Sequence, residues 1–226
     1  MCRIVAWVAI TVSLLAGPVA AQSAAELCAR TAREGNVAAC QSAVALDRTD
    51  LASRRNLALA YLGRNDYENA TRVHGEIVAL APDDHATHYD FAAALAAFWR
   101  IEEALEPLAV ALRLNPDHGP TLRLATILYD GARRFEDSFR VILRAAERGD
   151  RLQMFELSAR YRDGLGTAAD PEASLHWLTR AAEAGHVTAM LRLRDLYRDG
   201  NGRVSADAAK SAYWDERQRR EGYSDR

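Results

Sequence analysis

The sequence predicts an all-α protein built as a stack of about six antiparallel helix pairs, and three observations predict it. Apolar residues recur at helical spacing along the chain, equivalent residues return every thirty-four positions in its middle, and a period of about thirty-six governs its last third. The 226 residues are 49% hydrophobic and 27% charged, which excludes a disordered or collagen-like chain. Lys plus Arg number 29 against 31 Asp plus Glu, a formal net charge of -2 that offers no basic surface for nucleic acid. Lys210 is the sole lysine, so almost all positive charge sits on guanidinium groups suited to bidentate pairing.

Residues 1–21 read as a signal peptide: Arg3 is followed by an apolar run from Ile4 to Leu15 and by small residues at Val19, Ala20 and Ala21, with cleavage before Gln22. The run is shorter than the ~20 residues a membrane-crossing helix needs. A periplasmic or secreted protein without a membrane span after cleavage is the expectation. Residues 22–50 form an N-terminal capping pair, with helical stretches at 24–33 and 37–46 joined by Glu34, Gly35 and Asn36. Cys28 and Cys40 lie one on each stretch; in an exported chain such a pair suggests a disulfide, the other reading being two buried thiols. No C-x-x-C spacing points to redox catalysis.

Residues 51–151 contain three repeats. Tyr61, Leu95 and Tyr129 keep the thirty-four-residue step, as do Tyr67, Ile101 and Phe135; Ala70 recurs as Ala104 and Pro82 as Pro116. Within each unit two amphipathic helices flank a turn such as Gly63-Arg64-Asn65-Asp66, and the proline follows the second helix because it cannot donate a backbone hydrogen bond. Residues 152–226 hold two longer units. Ala145-Ala146-Glu147-Arg148-Gly149-Asp150 returns as Ala181-Ala182-Glu183-Ala184-Gly185-His186, and Tyr161-Arg162-Asp163-Gly164-Leu165-Gly166 as Tyr197-Arg198-Asp199-Gly200-Asn201-Gly202. Asp170 and Pro171 read as an N-cap and first helical residue, and Ser205 as the cap of the last helix. The last unit is degenerate and polar at residues 215–220, as a terminal capping unit should be.

Leu57-Ala58, Tyr61, Ala70 and Pro82, repeated as Phe91-Ala92, Leu95, Ala104 and Pro116, resemble the tetratricopeptide repeat (TPR). Residues 152–187, with Trp177 and the alanine pair, resemble the related Sel-one-like repeat, and Tyr213-Trp214 takes the aromatic position of the last unit. The resemblance implies a right-handed α-solenoid whose first helices line a concave groove for a segment of another protein. The implied groove residues are Arg55, Leu59, Leu62, Tyr89, Ala93, Arg123, Ile127 and Asp130, with Arg55 and Arg123 as candidate carboxylate clamps. Leu59 stands where the chaperone-tail receptors of that family have asparagine, so that subtype is not implied.

No nucleophile elbow, zincin, Walker or dinucleotide motif occurs, so no catalytic, cofactor or metal residue is expected. Asp83, Asp84, His85, His88 and Asp90 are the nearest approach to a metal cluster, and they read more simply as the polar turn between repeats. His74 falls on the inward face of a second helix and reads as a hydrogen-bonded core residue. Trp99 lies in an interhelical turn, either packed on a neighbouring loop or anchoring a partner. The functional expectation is an exported, non-enzymatic protein-interaction scaffold; the alternative is a cell-envelope hydrolase of Sel-one-like type acting on cell-wall or antibiotic substrates.

Overall fold

The computed structural model describes residues 8–224, with side chains described for residues 20–221. Met1–Trp7 of the expected leader lie outside the described residues, and Val8–Ala21 form the first part of a helix that continues to Thr31. The described residues form twelve α-helices and no strand, paired in chain order as six hairpins. They divide into two compact units, residues 1–114 and 115–226.

The first unit contains α1 (Val8–Thr31), α2 (Val37–Leu46), α3 (Leu51–Gly63), α4 (Tyr67–Leu80), α5 (His85–Ala97) and α6 (Ile101–Leu114). Each helix packs most closely on its hairpin partner, and the second helix of one pair packs on the first helix of the next. The core follows the repeat: Ala58, Ala70, Ala92 and Ala104 are fully buried, which lets helix backbones approach closely, and Leu57, Tyr61, Val73 and Ile77 fill the space beside them. A 3-10 turn at Ala32–Glu34 and the left-handed Gly35 reverse the chain between α1 and α2. Cys28 and Cys40 are joined in a disulfide there, both sulfurs buried and their Cα atoms 4.5 Å apart.

The second unit contains α7 (Gly119–Gly131), α8 (Phe135–Glu147), α9 (Arg151–Asp163), α10 (Pro171–Glu183), α11 (Val187–Asp199) and α12 (Ala208–Ser224). Its larger core is made by Ile142, Met154, Leu157, Trp177, Leu178, Met190, Leu193 and Trp214. Gly166, in the long loop after α9, has a left-handed φ of 78°, and a Cβ there would stand 2.1 Å from the Phe135 carbonyl oxygen. Only glycine lets that loop lie against the start of α8.

Helix starts are fixed by side-chain caps at a recurring register. Asp50, Asp84, His118, Asp150 and His186 each accept a backbone N–H at the start of α3, α5, α7, α9 and α11. Asp170 and Pro171 open α10 as the sequence predicts. Ser205 does not open α12; Asp207 accepts from the Lys210 N–H at 3.0 Å instead. The start is set by Asp207, whose own N–H donates to the Tyr197 carbonyl at 2.6 Å, while Asn201 closes the preceding turn on the Arg203 and Val204 amides at 3.1 and 2.9 Å.

Candidate functional site

The turns within the three middle hairpins place Asn65, Trp99 and Arg133 at the same left-handed position, with φ of 58°, 61° and 58°. Such a conformation suits asparagine and strains a bulky side chain. Trp99 is 87% exposed, so it packs on no neighbouring loop; Phe98 instead stacks on Tyr67.

Residues of α3, α4 and α5 in the first unit line a cavity of about 330 Å³. Leu59 and Leu62 of α3, Ala93, Ala94 and Ala97 of α5 and His74 of α4 line it, together with Arg55 of α3 and Asp90 of α5, whose Nε and Oδ2 are 3.8 Å apart. Of the sequence-predicted groove set, Arg55, Leu59, Leu62 and Ala93 meet here, while half-buried Tyr89 lies against His85 with ring centroids 6.4 Å apart.

Arg55 is not a free clamp. Its Nη2 donates to Asp84 Oδ2 at 2.6 Å and to Thr87 Oγ1 at 3.1 Å, so the guanidinium ties α3 to the capped start of α5. Its Nε lies 3.8 Å from Asp90 Oδ2, an ion pair beyond hydrogen-bonding reach, and is buried without a hydrogen-bond partner. The Thr87 hydroxyl first, then backbone amides and Arg55, hold the Asp84 carboxyl below the usual carboxylate range. Burial, reinforced by Asp84 and opposed by Arg55, raises that of Asp90.

His74 is 6% exposed, and its ring stacks on Phe91 with centroids 6.0 Å apart. It is buried as the sequence predicts, but its Nδ1 has no hydrogen-bond partner. Burial first, and the Arg55 charge second, lower its pKa to about 4, so the imidazole is neutral at neutral pH. One repeat later the same register carries Leu108 and then Ile142, both fully buried. A histidine in a position its sister repeats fill with aliphatic side chains is the signal by which the sequence could have marked this site.

The remaining predicted groove residues belong to the second unit, where each is engaged differently. Arg123 Nη1 donates to Asp150 Oδ2 at 3.0 Å, repeating the Arg55–Asp84 link. Asp130 accepts two bonds from Arg160, at 3.0 and 2.5 Å, and Ile127 is 64% exposed. The acidic and histidine cluster at 83–90 is consumed by local structure: Asp84 caps α5, and His88 Nε2 lies 2.7 Å from the Pro82 carbonyl. Among the described residues, no group of three or more His, Cys, Asp or Glu is placed to hold a metal. No described helix is long and apolar enough to cross a membrane.

Comparison with known proteins agrees with this architecture. The Sel1 repeat model matches residues 154–186 and 187–214, so the chain carries two Sel1 repeats. Comparison with curated protein sequences finds no match. Among solved structures, a Sel1 repeat protein from Oxalobacter formigenes is similar with a TM-score of 0.66 at 18% identity, over 89% of this chain and 62% of that one. PilF of Pseudomonas aeruginosa is similar with a TM-score of 0.61 at 13% identity, over 91% of this chain and 93% of its own. MamA from Desulfovibrio magneticus RS-1 is similar with a TM-score of 0.59 at 18% identity, over 73% of this chain and 94% of its own. At these identities the likeness is one of fold: a helical-repeat solenoid of the TPR and Sel1 kind.

Proposed function

We propose that the protein is an exported, non-enzymatic interaction scaffold that holds a segment of a partner protein in the concave groove of its first unit. The cavity between α3 and α5 carries this reading: a mostly apolar depression with a few convergent polar groups is what a recognition site for a side chain requires. Export is supported by the leader-like residues 1–21 and by the Cys28–Cys40 disulfide, a bond that persists in oxidising compartments. Localisation of a tagged full-length protein by cell fractionation tests the export. A protein retained in the cytoplasm at full length would refute it.

The groove is tested by cross-linked capture from envelope extract with the wild type and with Ala97→Arg. Ala97 is exposed at the end of α5 and lines the cavity, so a long side chain there obstructs the groove without entering the core. A partner captured by the wild type and lost with a folded Ala97→Arg variant is expected. A partner captured equally by both would move binding off the groove.

A further inference from the structure

Helix α1 runs without a break from Val8 to Thr31, across the bond between Ala21 and Gln22 at which the leader is expected to be cut. Among its described side chains, packing against the first core begins at Ala24 and Ala25, and Cys28 is fully buried in its disulfide. Gln22, Ser23 and Glu26 are exposed. The docked part of the helix therefore starts at Ala24. Ser23 Oγ donates to the Ala20 carbonyl at 3.0 Å, a bond that spans the expected cut.

Cleavage before Gln22 removes that carbonyl and leaves Ser23 directly ahead of the docked helix, with Glu26 three residues further on. Ser-x-x-Glu is the sequence of a capping box, in which the serine hydroxyl accepts the N–H of the third helical residue and the glutamate carboxylate accepts the N–H of the serine. With Ser23 as cap and Ala24 first in the helix, Gln22 stands outside it and carries the new α-amine. The positive end of the helix dipole disfavours a charged ammonium there. An α-amine titrates at about 7.7–8.0, so a share of it is an uncharged nucleophile at neutral pH. The carboxamide carbon of the same glutamine is one five-membered ring away.

We propose that Gln22 is a modification site: once the leader is cut, its α-amine closes on its own side-chain amide, giving an N-terminal pyroglutamate ahead of a helix capped by Ser23 and Glu26. The amine nitrogen bonds to Cδ, the Cδ–Nε2 bond breaks, and a proton from the amine leaves with that nitrogen as ammonia. The lactam thus forms without oxidant, reductant or co-reactant. It removes the charge from the positive end of the helix and leaves an aminopeptidase no free amine to grip. This rests on the export reading, through the cut before Gln22.

The test is the intact mass of two proteins: the full-length chain with a C-terminal tag, recovered after export, and a disulfide-oxidised chain released from a fusion so that it begins at Gln22. After the same incubation at pH 8, each is expected to be lighter by one ammonia than its sequence from Gln22 onward. Gln22→Ala, which has no carboxamide to close on, should keep its full mass. In the released chain the Ala25 and Glu26 amides should exchange slowly with solvent, and Ser23→Ala should speed that exchange roughly fivefold. A terminal Gln22 that keeps its amine in either protein would overturn the proposal and leave export standing. An exported protein cut at another residue would also overturn it, because Gln22 then never becomes terminal. An uncut protein would remove the export reading as well. Exchange at Ala25 and Glu26 indifferent to Ser23→Ala would overturn the capped start.

Discussion

Acidification should weaken this fold through His74, and the size of the effect can be worked out. The free imidazole titrates near 6.5 and the buried one at about 4, so between those values the unfolded chain holds a proton that the folded chain does not. Stability is therefore undiminished above the unfolded value and is lost as pH falls through the window toward 4. At pH 5 the unfolded ring is nearly all protonated and the folded ring nearly all neutral, which costs about 2 kcal/mol; the full loss approaches about 3 kcal/mol below pH 4. His74 is 6% exposed, so solvent screening reduces the figure little. The assay is urea unfolding followed by circular dichroism at pH 7 and pH 5, for the wild type and His74→Phe. Asp90, raised by burial, opposes the trend, and His186, lowered by burial, adds to it, but both are present in both proteins. The wild type should lose about 2 kcal/mol more than the variant between the two pH values. Equal losses would refute the assignment of a buried neutral imidazole at this position.

Three further outcomes are expected. Reducing the Cys28–Cys40 bond, which spans a sequence separation of 12, should lower the stability of the first helices by about 3 kcal/mol, measured as a shifted urea midpoint with and without reductant. Ser138→Ala should stabilise the protein by about 1–2 kcal/mol and raise its Tm by a few degrees in a thermal melt, because the Ser138 hydroxyl is fully buried without a partner at the register of Ala70 and Ala104. Asp130→Ala should cost about 2 kcal/mol in the same urea assay, since it removes two bonds from the buried Arg160; Glu156 Oε1, 2.8 Å from its Nε, keeps the loss below that of a fully orphaned charge.

The periodic features were legible because each is a local demand on the chain repeated at a fixed step. Ala58, Ala70, Ala92 and Ala104 read as close-approach positions and are buried completely, and α2 spans the predicted residues 37–46. The Cys28–Cys40 pairing was equally legible, because two helices reversing at Gly35 have little freedom to separate their cysteines. The partners of Arg55 and Arg123 were not, since Asp84 and Asp150 are 29 and 27 residues away and a capping aspartate shows its helix start in sequence but not its second bond. His74 was legible as buried and illegible as unsatisfied, because a missing hydrogen bond depends on the surroundings in space. Ser205 fails as a cap because the helix start is tied instead through the Asp207 N–H to Tyr197, a contact across the turn that residue spacing hides.

Asp84 and Asp150 each serve two helices, capping the one they begin and gripping an arginine of the preceding hairpin. A hairpin exchanged between such proteins as a cassette therefore carries only half of each junction. A cut just before the aspartate leaves the donor's arginine behind and delivers its carboxylate to a recipient with nothing to hold it. Grafts that move Arg55 together with Asp84, or Arg123 together with Asp150, should retain their solubility and helix content. Grafts divided between them should lose up to about 1 kcal/mol of stability at each severed junction.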